Sequence, residues 1–180
     1  MKKILLPCCL LLSLPLAAQA APEVKIDPAT YICAELITQP ITTAGEPPIF
    51  TGLQLDGFVG ASLNMPVADP TTMPAVLGEV FAACQAKPTE KAAVLWKEIR
   101  KSLPAPADGP WKADKTTCKD YSDNPDDGSG FVIWLDGYHR GKSGKPASVL
   151  ENNESLAAYL EACSQKPEAL MLDVMAESAQ

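Results

Sequence analysis

Apolar side chains recur at Leu77, Val80, Phe81 and Cys84, and again at Leu156, Tyr159, Leu160 and Cys163. Both sets follow the i, i+3, i+4, i+7 spacing that lines one face of an α-helix. Strict alternation of apolar and polar positions, the mark of a half-buried strand, is absent, so the pattern predicts an all-α chain of short helices. Helix starts are expected at Asp27-Pro28 as N-cap and first residue, at Thr117 ahead of Cys118 and at Asn153 ahead of Glu154, with Pro88 and Pro167 each opening a last helix. The N-terminus follows another pattern. Met1-Lys2-Lys3 is basic, Ile4 to Leu16 is apolar and Ala18-Gln19-Ala20 is small, which together predict a secretory signal peptide over 1–20, cleaved after Ala20. No later stretch approaches the roughly 18–20 continuous apolar residues of a membrane span, and neither Cys8 nor Cys9 follows a lipobox-like cleavage site. The expectation is a soluble, exported chain.

The two apolar stripes belong to a longer repeat. Leu55-Asp56-Gly57-Phe58 returns as Leu135-Asp136-Gly137-Tyr138, an offset of 80, and Ala83-Cys84 with Lys87-Pro88 returns as Ala162-Cys163 with Lys166-Pro167, an offset of 79. Each copy has a first cysteine upstream of its Leu-Asp-Gly, Cys33 in one and Cys118 in the other. The first copy is longer, chiefly in the loop around Pro40, Gly45, Pro47 and Pro48, where insertions cost little. Between the copies, 104–110 holds three prolines in seven residues and reads as a semi-rigid linker. The organisation predicted is two helical domains in tandem, 21–103 and 111–180, of three or four short helices each.

Composition adds charge and redox state. Lys2 and Lys3 leave with the signal peptide, so 13 of the 15 basic side chains face 22 acidic ones, a net of −9. That balance argues against nucleic acid and anionic lipid as partners. The four remaining cysteines, Cys33, Cys84, Cys118 and Cys163, are even in number and bound for an oxidising compartment, so two disulfides are the default. The repeat pairs Cys33 with Cys84 and Cys118 with Cys163; cross-pairing would require the duplication to have exchanged partners. Domains of 70 to 80 residues need such clamps, and closing loops of 51 and 45 positions removes roughly 4 kcal/mol of denatured-state entropy each.

Motifs for chemistry fail on inspection. Gly137 to Ser143 imitates a phosphate loop with one residue too few between its glycines, and reads instead as a solvated turn after a helix. Asp123 to Gly128 resembles half a calcium loop but has Pro125 at the third ligand position and Trp134 at the twelfth, so it reads as a turn. His139 is the sole histidine and is expected on an exposed loop, with no nucleophile beside it. No Cys-x-x-Cys exists. The sequence predicts no enzyme, cofactor or metal.

Thr117-Cys118-Lys-Asp-Tyr121, Val132-Ile133-Trp134-Leu135-Asp136-Gly137-Tyr138, Gly141-Lys142 and Tyr159-Leu-x-x-Cys163 with Pro167 resemble, in order and spacing, the HdeA/HdeB family of periplasmic acid-stress chaperones. The likeness covers about 60 residues of the second copy; the first departs from it, with Gly52 and Gln54 in place of Val132 and Trp134. The resemblance implies an all-helical fold with one disulfide per unit, closed and inactive at neutral pH. In acid it implies opening to hold denatured periplasmic proteins on apolar surface, without ATP or metal.

Charge is compatible with that behaviour. Near pH 2 the cleaved chain reaches about +15, from its 13 basic side chains, His139 and the N-terminus. The expectation is that each unit buries its Leu-Asp-Gly helix against the other, as a pseudo-dimer within one chain. Acid would then expose Leu53, Leu55, Phe58, Ile133, Trp134, Leu135 and Tyr138 to clients, with Asp56, Gly57, Asp136 and Gly137 as the structural motif. The alternative is an exported, disulfide-bonded immunity or inhibitor protein that binds one partner at neutral pH.

Overall fold

The computed structural model describes residues 26–39, 48–104 and 109–179. The signal-peptide segment, Pro40, Gly45 and Pro47 of the first loop, and 105–108 of the linker lie outside them. The described residues form eight helices and no strand: α1 (Cys33–Thr38), α2 (Ile49–Leu63), α3 (Met73–Ala86), α4 (Ala92–Ser102), α5 (Cys118–Asp123), α6 (Pro125–Ser143), α7 (Asn153–Ser164) and α8 (Met171–Ser178). The fold is all-α with two disulfides, one joining Cys33 of α1 to Cys84 of α3 and one joining Cys118 of α5 to Cys163 of α7. None of the helices is long and apolar enough to cross a membrane. That and the disulfides are compatible with export.

The repeat reappears in the backbone. Cys33 N donates to Glu90 O, Ala34 N to Pro88 O and Ala92 N to Tyr31 O; in the second half Cys118 N donates to Ala169 O, Lys119 N to Pro167 O and Met171 N to Thr116 O. The segment before each half's first helix is thereby tied to the turn before its last. Both first helices also carry an acid three residues past the cap that accepts from the cap's own N–H, Glu35 from Ile32 and Asp120 from Thr117. Only the second is a full side-chain capping box, in which the Thr117 hydroxyl also accepts from Asp120 N at 3.1 Å.

Four starts differ from the sequence reading. Asp27-Pro28 opens a turn, in which Asp27 Oδ1 accepts from Ala29 N, and not a helix. Asn152, one residue before the expected position, caps α7 by accepting from Ser155 N. Pro88 and Pro167 sit in turns closed by Glu90 N to Lys87 O and Ala169 N to Lys166 O, and the helices begin four residues later. Proline's fixed φ suits the second residue of a turn as well as the first of a helix.

The halves share one apolar core. Its axis is the crossing of α2 on α6, with α3 and α4 packed on α2, and α5 and α8 on α6. A short antiparallel strap adds to it, as Ala68 N donates to Trp111 O and Ala113 N to Pro66 O. Both disulfides lie within a half, away from this crossing. Reducing them is expected to cost about 2–4 kcal/mol per bridge, read as a lower urea midpoint at pH 7 with a thiol-free phosphine reductant.

Candidate functional site

The Leu-Asp-Gly motifs meet at the α2–α6 crossing. A Cβ on Gly57 would collide with the carbonyl oxygen of Trp134 and lie 2.8 Å from Tyr138 N; a Cβ on Gly137 would collide with the carbonyl oxygen of Gln54. Positions 54 and 134, like 57 and 137, are equivalent at the offset of 80, so each helix offers the other the same contact. That is the isologous pattern of a two-fold dimer, here inside one chain. Gly141 extends the close approach, 2.6 Å from Phe58 O for an added Cβ. Glycine lets the two backbones touch where any side chain would hold them apart.

Side chains break the symmetry. Asp56, buried, accepts from Trp96 Nε1 and Arg100 Nε of α4, each at 2.7 Å to Oδ1, and from Trp134 Nε1 of α6 at 3.0 Å to Oδ2. It thus joins three helices, and the Trp134 bond crosses the seam. Asp136, fully buried, turns away from the seam to Ser148 Oγ at 2.8 Å and Val149 N at 2.9 Å. Burial pushes its carboxyl above its ordinary pKa, against the opposing pull of those bonds, Arg140 and His139.

His139 and Arg140 correct the sequence reading, since both are buried in the last turns of α6 and neither lies on a solvated loop. Gly137 and Gly141 bound a stretch that the sequence reads as a solvated turn, but they are packing positions of a continuous helix. Arg140 donates to the carbonyls of Ile26, at 3.0 Å, and Pro146, and its guanidinium lies 3.6 Å from Asp27 and 3.9 Å from Asp136. Burial lowers the His139 pKa, Asp136 raises it, and Lys145 and Arg140 lower it further, leaving it below its ordinary value. Its Nδ1 finds no hydrogen-bond partner among the described residues. Asp123 closes α5 and the chain is helical again from Pro125, so the calcium-like stretch is a junction of two helices.

Of the proposed apolar surface, Leu53, Trp134 and Tyr138 lie on the seam, with Leu53 3.4 Å from a Cβ built on Gly130. Tyr138 stacks on Trp134, and the ladder continues through Phe131 to Trp111, with ring centroids 5.2, 6.0 and 5.4 Å apart. Leu55 and Leu135 are fully buried. Leu55 is three residues from Gly52, which abuts Leu77 of α3, and so faces its own half. Phe58 and Ile133 are half-buried, and the Phe58 carbonyl is what meets Gly141. Sequence reading missed Trp96, Arg100, Trp111 and Phe131. The i, i+4 pair Trp96 and Arg100 on the amphipathic α4 carried a signal, but nothing local tied it to Asp56 forty residues away. Among the described residues no cluster of metal-ligating side chains forms. The chain matches no protein-family model, no curated protein and no solved structure.

Proposed function

We propose that this chain is a periplasmic, ATP-independent acid-stress chaperone of the HdeA/HdeB kind, exported by its signal peptide, that opens in acid along the α2–α6 seam and holds denatured proteins on the faces released. One observation carries the reading: the two Leu-Asp-Gly helices seal each other's apolar faces, while each disulfide clamps only its own half. Parting the seam therefore breaks no covalent link and leaves two stapled fragments presenting Leu53, Trp134 and Tyr138. Neither ATP nor a cofactor has a role in such a cycle. The fragments would stay joined, so activation should not depend on protein concentration.

The groups that favour opening can be sorted by sign. A histidine held below its ordinary pKa of 6.5 stays neutral in the fold while the unfolded chain takes up a proton, so stability falls as pH drops below 6.5 until the folded His139 itself titrates. Asp69 and Asp120 are held below their ordinary 3.8 once hydrogen bonds from Thr71, Thr72 and Thr117 outweigh burial, and their contribution is lost as pH falls through those lowered values. Asp136 acts the other way: its raised pKa means the fold binds a proton before the unfolded chain does, which resists acid above 3.8. Protonating it also strips Arg140 and His139 of their buried anion, leaving Lys145, Arg140 and an incoming imidazolium to repel one another. His139→Gln should flatten the fall of urea-unfolding stability between pH 7 and 5 and move acid opening, followed by a hydrophobic dye, to lower pH.

The deciding assay takes a mixture of envelope proteins to about pH 2 and back to 7, with and without the mature chain. Suppressed aggregation after acid, absent in a neutral heat-aggregation control, is the expected result. No suppression, together with capture of one partner at neutral pH, would replace the chaperone by an inhibitor or immunity protein.

A further inference from the structure

A cavity of about 200 Å³ lies beside the seam, between Leu53 of α2, Met73 of α3 and the rings of Trp111, Phe131 and Trp134. Interiors are close-packed, and a 150 Å³ apolar cavity already admits benzene. This one has room for a ring and a short arm. Its lining also includes Asp56 and Asp69, and among the described residues no basic one lines it. Pro70, on the same wall as Asp69, is exposed, so that wall reaches the surface.

Among the described residues that line the cavity, two are acidic and none is basic. Arg100 serves both acids, directly at Asp56 and through Thr72 Oγ1, which it reaches with NH1 at 3.1 Å and which donates to Asp69 Oδ2 at 2.9 Å. Two carboxylates share one guanidinium. Burial alone would raise the Asp69 pKa, but the bonds from Thr71 and Thr72 prevail and keep it an anion at neutral pH. Three of its four bonds go to Oδ1, so Oδ2 has capacity for another donor. Aromatic faces attract cations, tryptophan most strongly.

We propose that this cavity binds a small primary amine with an apolar body, its ammonium at Asp69 Oδ2 and its body against Trp111, Phe131 and Trp134. Such a ligand touches both halves, and this inference stands whether or not the chain is a chaperone.

The probe is phenethylamine, with 2-phenylethanol as its neutral isostere, titrated into the mature protein at pH 7 by calorimetry and by the fluorescence of the lining tryptophans. Saturable one-to-one binding of the amine is expected, at least ten-fold tighter than the alcohol, the gain of one charge-assisted hydrogen bond. Asp69→Asn should weaken the amine about ten-fold and leave the alcohol unchanged. Ala68→Leu, which grows into the cavity from its wall, should abolish both with the fold intact by circular dichroism. No saturable binding up to 10 mM amine, equal affinity for the alcohol, or undiminished amine binding by either variant would overturn the proposal.

Discussion

Gly57→Ala should lower the stability of the closed protein at pH 7 by about 3–4 kcal/mol, at the upper end for overpacking, because backbone and not a yielding side chain stands in the way. The added methyl meets the Trp134 carbonyl and lies 2.8 Å from Tyr138 N, so relief requires α2 and α6 to move apart. Gly137→Ala meets the Gln54 carbonyl in the same manner and should cost a similar amount. Gly78→Ala provides the contrast: its Cβ would meet nothing within 4 Å on an exposed turn of α3, and the change should stabilise by about 0.5–1 kcal/mol. Urea unfolding of the three variants separates a blocked crossing from a general dislike of alanine. If the seam is what acid opens, Gly57→Ala should also bind a hydrophobic dye and suppress aggregation at neutral pH. A Gly57→Ala protein with wild-type stability would remove the crossing from the mechanism.

The helical class and the internal repeat are legible because both follow from local periodicity and self-similarity. Thr117, for instance, announces its helix within four residues, and the structure closes that capping box with Asp120. What was not legible depends on partners distant in sequence. Gly137 and Gly141 break helices when solvated and permit close packing when another helix lies against them, and nothing around them says which applies. A turn over 137–143 places His139 and Arg140 in solvent, and such a reading cannot reach the buried charges at the end of α6. Pro88 and Pro167 show the same ambiguity between turn and helix start, settled here by the hydrogen bonds that Pro88 and Pro167 carbonyls accept from Ala34 and Lys119. The Asp56 hub draws on α2, α4 and α6 at separations of 40, 44 and 78 residues, beyond the reach of any local pattern.

Asp56→Ala is expected to cost about 3–5 kcal/mol, the range for removing one partner of a buried ion pair. The loss comes less from the bonds deleted than from the groups abandoned. Arg100, 5 % exposed, would keep its charge with one bond to Thr72, and two indole N–H groups would be left in the core. Two variants test this cause. Asp56→Leu with Arg100→Met removes both charges and should recover part of the loss, since well-packed apolar replacements of buried pairs are often neutral. Asp56→Asn can still offer one oxygen to Trp96 and Arg100, but its amide then faces the Trp134 N–H, so the damage should fall on the bond that crosses the seam. A double-mutant cycle between Asp56→Asn and Trp134→Phe isolates that bond, with an expected coupling of about 1–2 kcal/mol in urea unfolding at pH 7. Zero coupling would make Asp56 a clamp within its own half, and the hold of α2 on α6 would then rest on the glycine contacts and on apolar packing across the seam, such as Leu53 against Gly130 and the Trp134 ring against Gly60.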